Sequence, residues 1–427
     1  MSSERGASPV DATALLVLFF VNVLNYYDRQ ALGALVEPLR HQFQLTDTQL
    51  AAIPSLVTIV YAVAGVPLGR LADRVSRKRL LAAGVAVWAT LTAFGAVASG
   101  YAMLLVSRLG MGAGEAVCAP AATSWIGDMV PAHRRARAMA GFMMAVPVGV
   151  MLSLAVSGPV AQAWGWRAAL TVAALPAVVL APALLCLREP ARAALTVGTA
   201  SFSFLRVSAF WWIAASGAIA NAALYSFSYF LPAFLTRFHG LSVGQAGLWT
   251  GIGSGVAGIL GAASVVLYGD RAARHRPGGR MLLASGAAAL ATAPAALAIR
   301  MPAGHAIAAV WFAMAAYALL QTYYGLVYAA LHDVVGPALR GAAMSVYLLV
   351  TYLCGASFGP LLTGRLSDHF AHGVTEAAKA AGLHQAMYVI PVLSAVLAVV
   401  LWAGATAAKS AGVRTEVVVR ENPRSWR

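Results

Sequence analysis

The chain has 427 residues, of which 60% are hydrophobic and 11% charged, and its mean hydropathy is +0.75. Soluble domains hold about 45–50% apolar and about 25% charged residues, so a water-soluble fold is excluded and a helical membrane protein is indicated. The net charge of +15 would suit a nucleic-acid binder, and the placement of the basic residues decides against it.

Residues 1–11 are polar and lack the short apolar core and small-residue cleavage site of a signal peptide, so the first span is expected to stay in the mature protein. Long apolar blocks place twelve spans at about 12–36, 48–69, 80–99, 102–127, 137–161, 168–187, 209–235, 245–268, 281–299, 305–331, 342–364 and 385–407. With the N-terminus inside, 22 of the 30 Lys and Arg fall on the cytoplasmic side, 6 outside and 2 within spans. That asymmetry orients the helices and needs no anionic partner. The expected class is an all-α membrane protein of the cell (inner) membrane with both termini cytoplasmic. Cys118, Cys186 and Cys354 all fall in spans and read as small apolar residues; no disulfide, metal site or cofactor is expected.

Span 1 carries Asp28 and Arg29, and span 4 carries Arg108 and Glu115. A charge at the bilayer centre costs roughly 2.5–3.5 kcal/mol, so the four represent on the order of 10 kcal/mol unless they pair or border a wet cavity. Arg108 and Glu115 are two helical turns apart and share a face. At 1.5 Å per residue, Asp28 and Arg29 lie about 11–12 Å from the external end of span 1, Arg108 about 9 Å and Glu115 about 20 Å from that of span 4. Asp28 is therefore expected to reach Arg108 and stay ionised, while Glu115 sits deeper, less compensated, and is the expected proton carrier. The guanidinium forks of Arg29 and Arg108 suit an anionic head group. The bland reading is a buried salt-bridge network that only pins spans 1 and 4 together.

The polar stretch after span 6 divides the chain into a six-span bundle over 1–187, a cytoplasmic linker over 188–208 and a second bundle with a short tail over 209–427. The halves echo each other: Asp73-Arg74 and Asp270-Arg271, Arg135-Ala-Arg-Ala-Met139 and Arg340-Gly-Ala-Ala-Met344, Gly158-Pro159 and Gly359-Pro360. The offsets are all about 200 residues, as parallel repeats in transporters require. In the second half, Asn221, Tyr225 and Tyr229 share a face of span 7, and Gln321, Tyr324 and Tyr328 a face of span 10. Both trios are cavity-lining candidates, or equally packing residues. The glycines of span 8 (Gly251 to Gly261) indicate close helix packing, Pro147 and Pro232 indicate kinks, and His332-Asp333 reads as a loop pair.

Gly69-Arg-Leu-Ala-Asp73-Arg74-Val-Ser-Arg77-Lys78-Arg79, in the loop after span 2, resembles the signature of the major facilitator superfamily, with Ser76 where that family usually has Gly. The resemblance implies a cytoplasmic gate built on Gly69, Asp73, Arg74 and Arg77, with Asp73 meeting the start of span 11. Asn25-Tyr-Tyr-Asp28-Arg29, Arg108-Leu-Gly-Met-Gly-Ala-Gly114-Glu115, Arg134-Arg135-Ala-Arg137, Val146-Pro147-Val-Gly149 and Phe238-His-Gly240-Leu241-Ser242 are similar to the spinster-like branch. Animal members of that branch export sphingosine 1-phosphate or lysophospholipids. The implied function is proton-coupled alternating-access transport of an anionic amphiphile or small organic anion, by a monomer surrounded by membrane lipids. Organic-anion and sugar-acid symporters share the span 1 and span 4 residues and are the alternative. A receptor or scaffold that keeps the fold without transport is the other class. No nucleophile–base pair or nucleotide loop suggests an enzyme.

Overall fold

A computed structural model describes residues 9–72, 74–190, 203–275, 278–336 and 339–421. Among these residues the regular structure is helical, without a strand. Span 1 is α1 (Pro9–Ala34), followed by a short helix, α2 (Val36–Phe43), that ends at Gln44 in the left-handed region (φ 53°). Span 2 is α3 (Asp47–Ala72) and span 3 is α4 (Arg77–Ala96), whose Ser76 hydroxyl caps it by accepting from the Arg79 backbone N–H. Span 4 comprises α5 (Tyr101–Glu115) and α6 (Cys118–Met129), and its interruption falls immediately after Glu115.

α7 (Ala132–Met143), α8 (Ala145–Ala174) and α9 (Ala177–Cys186) follow. The apolar stretch Arg137–Cys186 has 50 residues. A straight helix of that length would be about 75 Å long, more than twice the roughly 30 Å of hydrocarbon, so it makes two crossings. The chain turns inside α8 at Gly165, whose φ of +84° a side chain would resist.

The second half contains α10 (Ser208–Arg237), α11 (Val243–His275), α12 (Gly279–Arg300) and α13 (Ala306–Val334). Span 11 is α14 (Arg340–Thr351), a π-helical turn over Tyr352–Ala356, and α15 (Phe358–Phe370). α16 (Glu376–Ala386) and α17 (Val389–Glu421) complete the chain. Ten stretches of the described residues are long and apolar enough to cross a bilayer. Counting Arg137–Cys186 twice and adding α1 gives the twelve spans expected. Sequence reading had not anticipated α2, α16, the interruption after Glu115 or the π-helical turn.

The helices gather into two compact units. The first takes Met1–Thr196, Ser228–Gly255 and Pro360–Leu383, and so draws on both six-span halves. Small residues set its closest approaches. A Cβ at Gly149 of α8 would meet the Val23 carbonyl oxygen of α1 at 2.7 Å, and one at Gly112 of α5 would meet Val57 of α3 at 2.9 Å. Gly244, Gly247 and Gly251 of α11 lie against α8 in the same way, the packing role expected for span 8. The second unit takes Val197–Phe227, Val256–Gly359 and His384–Arg427. Within it α12 packs between α13 and α17, and Gly217 of α10 admits the Tyr347 ring of α14.

Candidate functional site

The first unit encloses all four intramembrane charges. α1 is fixed against its neighbours by Asn22, which donates to the Phe142 carbonyl at 3.2 Å, and by Ser153, which donates to the Tyr27 carbonyl at 2.7 Å. Consecutive residues on a helix point about 100° apart, so Asp28 and Arg29 address different neighbours. Arg108 and the Thr92 hydroxyl are the groups that act on Asp28, and neither Asp28 oxygen has a partner at hydrogen-bonding distance. Arg29 turns the other way: its Nε lies 3.7 Å from Glu115 Oε2 and its Cζ 4.0 Å over the Tyr61 ring. Both Glu115 oxygens are likewise without a hydrogen bond. Arg108 sits beside Gly95, donates to Met111 Sδ at 3.3 Å, and lies within electrostatic reach of Asp28, Glu115 and Tyr229.

Two sequence expectations are corrected here. Glu115 is not alone, because depth along the helix axis ignores the reach of the Arg29 side chain and its direction around α1. Nor do three of the charges meet the surface: Asp28 and Arg108 are 1% exposed and Glu115 0%, while Arg29 alone keeps a partly exposed residue surface.

A second charge cluster, at helix ends around α2 and also inside the first unit, escaped sequence reading. Arg237, in the last turn of α10, grips both Asp47 oxygens at 2.6 Å and Glu37 Oε1 at 2.6 Å. Arg40 holds the other Glu37 oxygen at 3.0 and 3.1 Å and pairs with Glu376. Ser367 donates to Asp47 Oδ2 at 2.6 Å, while Asp368 accepts from the Asp47 and Thr48 backbone N–H groups at 3.0 and 2.8 Å. The only local signals were the i,i+3 pair Glu37 and Arg40 and an acid opening a helix. Partners 190 to 336 residues away leave no trace in a local pattern.

Between α3 and α4, Gly69 faces Pro120, the backbone N–H of the exposed Arg74 closes a turn onto Leu71, and Asp73 lies outside the described residues. Arg77 is buried, with Nε 3.2 Å from Glu189 Oε1, NH1 bonded to Ser124 and Asp128, and NH2 donating to the Pro190 carbonyl. These contacts tie the start of span 3 to the end of span 4 and the segment after span 6. Burial alone would raise the Glu189 carboxyl, but hydrogen bonds from Ser76, Arg77 and the Lys78 backbone outweigh it and hold it below its ordinary value.

The span 7 trio is divided. Tyr229 belongs to the first unit, is buried, and donates to the Leu50 carbonyl at 2.8 Å. Asn221 belongs to the second, where its Oδ1 accepts from Tyr324 at 3.1 Å and the half-buried Tyr225 is in electrostatic reach of Tyr324. Tyr328 stands edge-on to Tyr324 and Tyr347, and a hydroxyl ladder runs Ser216–Tyr323–Tyr347 at 2.9 and 3.1 Å. Gln321, half-buried, backs onto Gly261. Tyr323, Tyr347 and Ser216 were missed. Tyr323 adjoins Tyr324 in sequence but points about 100° away, off the face being read. His332 and Asp333 do form end-of-helix contacts, with Arg340 and Arg280 respectively.

Among the described residues no cluster of His, Cys, Asp and Glu has the makings of a metal site. The sequence model of the Major Facilitator Superfamily matches residues 18–360. A Mycolicibacterium smegmatis protein described as an MFS-type efflux pump is 34% identical over 364 residues, which span 83% of this chain and 84% of that protein. Human protein spinster homolog 1 is 28% identical over 395 residues, 85% of this chain and 74% of the relative. A crystal structure of a bacterial homolog of the human lysosomal transporter spinster, inward-facing and unoccupied, is similar with a TM-score of 0.83 at 24% identity. That match covers 94% of this chain and 98% of the other.

Proposed function

The chain belongs to the major facilitator superfamily as a spinster-like, multi-pass membrane transporter, and from that premise we propose that it couples protons to movement of an anionic amphiphile by alternating access. The observation that carries this reading is the charge balance of the buried set. Two guanidinium groups face two carboxylates whose oxygens lack hydrogen bonds. An anion arriving at Arg29 or Arg108 would leave the buried site with an excess negative charge, a state costing several kcal/mol per uncompensated ion. A proton on Glu115 or Asp28 removes that excess, so anion and proton occupy the site together. Because the set is buried, loading requires the gate residues Gly69, Asp73, Arg74 and Arg77 or the external ends to open it.

The substrate is a lysolipid or sphingoid-phosphate-like molecule, its head group on the arginines of the first unit. Within the second unit, Asn221, Tyr225, Gln321, Tyr324 and Tyr328 are the cavity-lining candidates. The resemblance to the spinster-like branch supports this substrate class over a small organic acid. The protein acts as a monomer in the inner membrane with both termini cytoplasmic and needs no nucleic acid or cofactor.

Proteoliposomes loaded with a pH-reporting dye and offered oleoyl lysophosphatidic acid, sphingosine 1-phosphate or galactonate test the proposal. Wild type is expected to move a lysolipid with accompanying protons, and Glu115→Gln to lose the pH dependence. An unchanged pH dependence in that variant removes Glu115 from coupling. Uptake of galactonate alone would favour a sugar-acid carrier, and movement of no solute a receptor or scaffold.

A further inference from the structure

Tyr61 is on α3, one turn beyond Val57, and Glu115 is on α5, one turn beyond Gly112. Val57 and Gly112 form the closest approach of these two helices, since a Cβ on Gly112 would also stand 3.1 Å from the Val57 carbonyl oxygen. Residues three or four apart share a helix face, so the crossing brings the Tyr61 ring and the Glu115 carboxyl to the same spot. Arg29 enters it from α1 and lies with Cζ 4.0 Å from the Tyr61 centroid and 5.8 Å from that of Tyr26.

The resulting distance to Glu115 is longer than in the other Arg–carboxylate ion pairs of this unit. Charge-assisted contacts run at about 2.7–2.9 Å, and Arg237 reaches its acids at 2.6 Å. Arg29 stops at 3.7 Å from Glu115, although its side chain is only 6% exposed and that of Glu115 is fully buried. An aromatic face attracts a guanidinium best when water is excluded, and here it competes directly with the carboxylate. The other groups acting on Glu115 are Asp28 of α1 and Arg108 of its own helix, and the Cys118 thiol of α6 adjoins it.

We propose that Tyr61 is a positioning residue whose ring holds the Arg29 guanidinium off Glu115, keeping the carboxyl open to a proton. The proposal rests on Glu115 being the proton carrier, and its test is chosen to be independent of transport. Dicyclohexylcarbodiimide modifies protonated carboxyls buried in membranes, so its attachment to Glu115, measured by mass spectrometry on the purified full chain, reports how open that group is.

Wild type and Tyr61→Phe, which keeps the ring, should label alike. In Tyr61→Leu the guanidinium closes onto Glu115 in a bidentate pair, and labelling should fall roughly tenfold. Adding Arg29→Gln to Tyr61→Leu should restore it, which a merely misfolded Tyr61→Leu protein would not do. Equal labelling of wild type and Tyr61→Leu, or loss in Tyr61→Phe, overturns the proposal. If labelling behaves as expected while wild type moves no lysolipid, the positioning role stands and the transport reading falls.

Discussion

The first unit contains two sets of Arg and carboxylate residues made from the same chemistry and held in opposite conditions. At helix ends around α2, Arg237 and Arg40 bind Glu37, Asp47 and Glu376 with Asp47 also taking the Ser367 hydroxyl. In the interior, Arg29 stands 3.7 Å from Glu115, and four carboxylate oxygens have no hydrogen bond. A buried charge pair stabilises only if good geometry repays desolvation. The set around α2 meets that condition and holds helix ends together. The inner set does not: its acids are left under-satisfied, which is the state that the proposed proton would relieve.

This contrast can be broken most directly by removing one cation. Arg237→Ala should strand Glu37 and Asp47 and destabilise the protein by about 3–5 kcal/mol, read as a large drop in melting temperature in detergent. Glu115→Gln should leave melting unchanged or raise it, within about 1 kcal/mol, because it deletes a charge the fold does not satisfy. Equal destabilisation by both substitutions would erase the distinction. Asp368→Ala should cost about 0.5–2 kcal/mol, since Asp368 caps the start of α3 from a different helix.

The smallest expected effect is at the start of α4, where Glu189 meets Arg77. Glu189 is held below its ordinary value near 4.5, so its contribution is complete above that pH and is lost as pH falls through the folded-state value. Glu189→Gln should lower the melting temperature at neutral pH by the equivalent of about 1 kcal/mol, and the difference from wild type should vanish at low pH.

Hydropathy and the Lys/Arg asymmetry were enough to read twelve helices, because lipid imposes length and composition on every crossing. The identity of Asp28, Arg29, Arg108 and Glu115 was equally legible, since each is expensive where it stands. Their pairing was not. The 1.5 Å rise gives height but says nothing of the angle at which neighbouring helices present a side chain, so Arg29 was not matched to Glu115. The cluster around Arg237 and the Arg77–Asp128–Glu189 contacts were hidden for another reason. Charges at helix ends are cheap, and nothing local marks those that find a distant partner.

The wide turn at Tyr352–Ala356 has a consequence for how the eleventh span can vary. Five residues are wound into one turn, closed by the Ser357 backbone N–H on the Tyr352 carbonyl at 3.1 Å, so the turn absorbs one residue more than ordinary winding holds. Deleting any one of them would restore ordinary winding with little change in the direction of the side chains on either side. A single-codon deletion there should therefore be better tolerated than one in the regular winding of α14 or α15.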